Sequence, residues 1–101
     1  MNQCDQQLYT IILEFEGTTS IAQEEAMGPD EALNQWFKGL ADKDSYGLTA
    51  AQSQALLATS CPDPVETVEV TGVRSVWCAT ALASDNLALF TIVKTLSNVA
   101  L

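Results

Sequence analysis

The chain is 101 residues long, the size of one domain, and 48% of it is hydrophobic, enough for a single core. Its 13 Asp and Glu against 4 Lys and Arg leave a formal charge of −9. The apolar share excludes intrinsic disorder, the shortage of cations excludes a phosphate-reading nucleic-acid module, and three cysteines are too few for a disulfide-dense scaffold.

The first predicted element runs from Leu8 to Glu16. Tyr9, Ile11, Leu13 and Phe15 alternate with Thr10, Ile12, Glu14 and Glu16, the period-two pattern of a strand. Gly17-Thr18-Thr19 reads as a turn, and Ser20 to Met27 as the return strand of a hairpin. Alternation in that return strand is weak. Ile21, Gln23, Glu25 and Met27 share one face, and Ala22, Glu24 and Ala26 the other, so one glutamate must lean toward the buried side.

Residues 29 to 41 read as a helix. Pro29 suits the first helical position, Asp30 and Glu31 lie at the positive end of the dipole, and Lys38 lies near the negative end. Leu33, Trp36, Phe37 and Leu40 make one apolar stripe at helical spacing. Asp42 to Gly47 is a polar turn. A second helix then opens on Thr49 and Gln52, which have capping-box spacing, and it must stop before Pro62. Pro62-Asp63-Pro64 is a rigid connector.

The remainder reads as strands. Val65 to Thr71 comes first, with Val68 and Val70 opposite Thr67, Glu69 and Thr71. Thr71-Gly72-Val73 turns the chain. Arg74 to Ala83 follows, with Val76, Cys78, Thr80 and Leu82 on one side and Trp77, Ala79 and Ala81 on the other. After a turn at Ser84-Asp85-Asn86, Leu87 to Thr95 returns. Leu89, Ile92, Val93 and Leu96 also fit a helix, but the Phe-Thr-Ile-Val content and the short length favour a strand. The expected fold is a single α+β domain over residues 1–101, in the order β-β-α-α-β-β-β. Two layers are expected, with an antiparallel sheet of about five strands and both helices on one face.

The last two strands are apolar on both faces, and Leu8 and Ile12 add to the side opposite Tyr9. A water-facing antiparallel strand alternates cleanly, so the second sheet face is expected to bury something. A homodimer packed sheet against sheet is the simplest occupant. The candidate interface residues are Leu8, Ile12, Glu14, Glu16, Glu24, Glu25 and Trp77. Trp77 enters as an aromatic anchor, and the glutamates as an acidic edge that would draw a basic protein partner.

Groups for catalysis are few. Histidine is absent, so Ser-His-Asp and Cys-His arrangements cannot be built. Glu14 and Glu16, read as neighbours on one strand face about 7 Å apart, remain as a carboxylate pair. Glu24 or Glu25 could serve as a partly buried acid in a small-molecule site. This is the alternative to a non-enzymatic interaction domain of the inhibitor or antitoxin class. Asp42 and Asp44 stand at calcium-loop spacing, but Tyr46 and Ser53 occupy positions where that loop needs oxygen ligands. Cys4, Cys61 and Cys78 are odd in number and widely spaced, which favours free thiols in a reducing compartment. No cofactor, metal or nucleic acid is expected. With no signal-peptide pattern at Met1 and no apolar run near the roughly 20 residues that span a bilayer, a cytoplasmic location without membrane contact is expected.

The Tyr9-x-x-x-Leu13-Glu14 strand followed by Pro29-Asp30-Glu31-Ala32-Leu33 resembles the start of small β-rich antitoxins of the HicB type. The likeness covers less than a third of the chain. The second helix and the later strands depart from that pattern.

Overall fold

A computed structural model describes residues 6–39, 49–59, 65–83 and 86–95. Its elements are β1 (Gln7–Phe15), β2 (Thr18–Ala26), α1 (Pro29–Lys38), α2 (Ala50–Thr59), β3 (Val68–Glu69), β4 (Val76–Ala83) and β5 (Asn86–Thr95). The expected α+β class and element order hold. The five strands form one antiparallel sheet in the spatial order β2-β1-β5-β4-β3.

Apolar alternation on β1 sets the core. Tyr9, Ile11, Leu13 and Phe15 are all buried on the face that meets the helices. The β1–β5 register brings Ile11 opposite Ile92 and Leu13 opposite Phe90, and β4 continues that layer with Ala79, Ala81 and Ala83. Helix α1 lies against β2, β1 and β5, and α2 lies over β4. The alanines of β4 leave room for α2 to approach, while α1 fills its side with Leu33, Trp36 and Phe37. Trp36, Phe37 and Phe90 meet edge-to-face with ring centroids 5.2 to 5.5 Å apart, the arrangement the aromatic quadrupole favours.

Both helix starts follow local chemistry. The Glu31 carboxylate accepts from the Met27 N–H at 2.9 Å, just ahead of the first turn. At α2 the expected capping box is present: the Gln52 N–H donates to Thr49 Oγ1 at 3.1 Å, and the Thr49 N–H donates to Gln52 Oε1 at 2.9 Å.

Four boundaries differ from expectation by more than one residue. The first turn is Glu16-Gly17, with φ of 51° and 79°, so Thr18 and Thr19 belong to β2. Positive φ at both central residues is the two-residue hairpin turn whose twist matches the flanking strands. Glu16 is therefore a turn residue and does not share a strand face with Glu14. Secondly, α1 closes at Lys38, with Gly39 as its C-cap. Thirdly, the strand expected at Val65–Thr71 shrinks to Val68–Glu69, because α1 holds residues 65 to 67. Asn34 exchanges two hydrogen bonds with the Val65 backbone, at 2.9 and 3.1 Å, and Asp30 Oδ1 accepts from the Thr67 N–H at 2.7 Å. Fourthly, β4 begins at Val76, after a turn in which the Val73 N–H donates to Val70 O across Gly72, whose φ is 91°. Cys4, Cys61, Leu40, the Asp42–Gly47 turn, Pro62–Pro64 and Ser84-Asp85 lie outside the described residues.

Candidate interaction surface

Strand alternation places a second set of side chains on the sheet face away from the helices. The registers align them in rows that cross the sheet. Ile21, Ile12, Thr91, Cys78 and Val68 form one row through all five strands. Thr19, Glu14, Leu89 and Thr80 form the next, and Leu87 with Leu82 the one beyond it. On the other side lie Gln23, Thr10, Val93 and Val76, then Glu25, Leu8 and Thr95.

This open face carries large exposed apolar side chains among the exposed polar ones of Glu14, Thr19, Gln23, Glu25 and Thr80. Ile21 is 64% exposed, Val68 65%, Leu87 59%, Leu82 56% and Leu89 38%. Exposed apolar side chains grouped on one sheet face are the kind of feature that interaction surfaces share. The polar groups of this face are already occupied at one end. Thr95 Oγ1 donates to Val93 O, so the Thr10 hydroxyl donates to Thr95 Oγ1 at 2.6 Å, and Gln23 Nε2 donates to Thr10 Oγ1 at 3.0 Å. Covering those side chains therefore leaves fewer unpaired groups to desolvate. Among the described residues of the open face, only Glu14 and Glu25 carry charge, and they stand at opposite corners of the β1–β2 hairpin.

The residues singled out from sequence do not share one surface. Leu8, Ile12, Glu14 and Glu25 lie on the open face. Glu24 is half-buried on the helix side, in the row of Tyr9 and Lys94. Trp77 also faces the helix side, where it meets the Tyr9 ring edge-to-face at 5.9 Å and packs against the core. It is therefore displaced from the open face, because β4 register pairs it with Ile92 in the core layer. The strand acids do not form one acidic edge either. Glu14, Glu16, Glu24 and Glu25 belong to the β1–β2 side, and Glu66 and Glu69 to the β3 side, with the width of the sheet between them. The exposed anchors missing from the sequence-based set are Ile21, Val68, Leu82, Leu87 and Leu89. Alternation within each strand carried their signal, but only the register sets Ile21 beside Ile12, Leu89 one row on, and Leu82 with Leu87 in the row beyond.

Two surface hollows are lined by Glu14, Phe15, Thr18 and Leu89 beside the first turn, and by Asp30, Asn34 and Lys38 along α1; Glu24 and Glu25 line neither. No group of three or more Cys, Asp or Glu side chains among the described residues could hold a metal ion. No described helix is long and apolar enough to cross a membrane. Burial raises the pKa of the Tyr9 phenol above its ordinary value.

The sequence matches no protein-family model, and the searches of curated proteins and of solved structures found no similar chain.

Proposed function

We propose that this chain is a non-enzymatic protein-interaction domain whose open sheet face docks a second copy of itself, sheet against sheet. The observation that carries the reading is the set of exposed Ile21, Leu82, Leu87 and Leu89, spread over three successive rows of the face opposite the helices, with half-buried Ile12 beside Ile21. The size is suitable. Strands β1, β2, β4 and β5, spaced about 4.8 Å and rising about 3.3 Å per residue, give a plane of roughly 500 Å². Side-chain relief makes the accessible area larger than that projection, and a standard interface buries roughly 800 Å² per partner.

A second copy presents the same chemistry: isoleucine on the β2 edge, leucine at the end of β4 and the start of β5, threonine between them and one glutamate at each of two corners of the β1–β2 hairpin. A basic partner has weaker support, because the strand acids divide between opposite edges of the sheet. Carboxylate chemistry at Glu24 or Glu25 has weaker support still, since the two point to opposite faces. A cytoplasmic location belongs to the same reading, on the odd number and wide spacing of Cys4, Cys61 and Cys78.

The test is sedimentation equilibrium of the wild type and of the double variant Leu82→Glu, Leu89→Glu. Both sites are exposed, so the fold should persist by circular dichroism while face-to-face association falls at least about tenfold. Unchanged association in a folded double variant would overturn the reading.

A further inference from the structure

The two edges of the sheet are unlike. On one side β3 is only two residues long, a length that blunts an edge. On the other, β2 runs nine residues from Thr18 to Ala26 in unbroken register with β1, without a bulge, proline, glycine or basic residue. The hairpin turn fixes which main-chain groups of β2 face outward. Phe15 and Thr18 close a two-residue loop and form a hydrogen-bonded pair, so Thr18, Ser20, Ala22, Glu24 and Ala26 turn their N–H and C=O groups toward β1. Thr19, Ile21, Gln23 and Glu25 turn theirs outward. The Lys94 N–H to Ser75 O bond at 3.0 Å independently fits the same phase on the far side of the sheet.

We propose that β2 pairs antiparallel with β2 of a second copy, about a two-fold axis beside Ala22, joining two sheets edge to edge. Ala22 is the midpoint of the strand, and this register uses the whole edge. Thr19 then opposes Glu25 of the other copy and Ile21 opposes Gln23, with about eight main-chain hydrogen bonds formed by groups that pair with no other described residue. On the helix side Ser20 opposes Glu24, and Ala22 opposes itself. No glutamate faces a glutamate. The nearest like pair, Glu24 with its own copy, is offset by about 13 Å along the strand, beyond the screening length of roughly 8 Å at physiological salt. A shift of the axis to Gln23 would set Glu25 against Ile21 and give up the Thr19 end. The inward-leaning Glu24 disfavours other strands at this edge, whereas in the self-paired register it meets a serine hydroxyl.

This contact is separate from the open face, so each can fail alone. Edge pairing is read first by amide hydrogen exchange in the wild type. The Ile21 and Gln23 amides should slow by at least about tenfold as protein concentration rises, and recover on dilution. It is read again in Gln23→Pro, which removes an outward N–H that no other described residue accepts. That variant should keep its circular dichroism spectrum yet lose the edge contact, reducing the assembly to face-paired dimers. Adding Leu82→Glu and Leu89→Glu should then leave the 10.8 kDa monomer. Ile21 and Gln23 amides that exchange freely in an associated sample would overturn edge pairing and leave the face reading standing. So would protection independent of concentration, or a folded Gln23→Pro variant with wild-type mass. A chain monomeric up to about 1 mM would overturn both contacts.

Discussion

Glu16 occupies a left-handed position, with φ of 51°, in a turn that prefers asparagine followed by glycine. A side chain with a Cβ is strained there, and glutamate has no local hydrogen bond that relieves it as asparagine does. Glu16→Asn should therefore stabilise the fold by about 0.5–1 kcal/mol, read by urea denaturation. Tyr9 supplies a second test at this scale. Burial holds its phenol neutral, so its folded pKa lies above the ordinary value of 10.0. The unfolded chain then ionises first as pH rises. Tyr9's contribution is whole below 10.0 and declines as pH climbs from there toward the folded pKa. Denaturation of Tyr9→Phe should lack the part of the alkaline decline seen in the wild type that comes from this group.

The elements were legible to different depths. The helix at Thr49 was readable because a capping box is a local contract between two side chains and two N–H groups, and the hydrogen bonds of Thr49 and Gln52 bear it out. Strand β5 was readable because Phe90, Ile92 and Val93 favour pleated, half-buried backbone over helix. The segment at 65–67 was not readable as it stands. Its alternation is that of a strand, but its main-chain partners are the side chains of Asp30 and Asn34, four residues apart on one face of α1. No local pattern announces a helix side chain as a substitute ladder. Asn34→Ala should cost about 1–3 kcal/mol, since it leaves both polar groups of Val65 without their partner. Chemical denaturation of this variant would measure it, and a loss under about 0.3 kcal/mol would mean that water replaces the amide fully.

For the whole molecule, charge and apolar area act in opposite directions. Each copy carries −9, so association through apolar surface must overcome repulsion between copies. Raising salt from about 0.05 M to about 0.5 M should therefore tighten self-association, because screening shortens the reach of that repulsion. A basic partner held by acidic groups would show the reverse dependence. Sedimentation across the salt series distinguishes the two, and weaker self-association at high salt would contradict docking through Ile21, Leu82, Leu87 and Leu89.

By itself the sequence determined what depends on neighbours along the chain: the alternation of β1, the apolar stripe of α1, the capping of α2 and the α+β order. It also placed apolar side chains on the sheet face away from the helices, because that follows from side-chain period alone. Tertiary structure decided which of those apolar residues stand together. Placing β1 between β2 and β5 set Ile12 beside Ile21 and drew Leu89 into the same surface. It turned Trp77 toward Tyr9, and it parted the acids that a linear reading had grouped. The physical reason is the register: one residue of slip exchanges the two faces of a strand, and partners far along the chain fix that register.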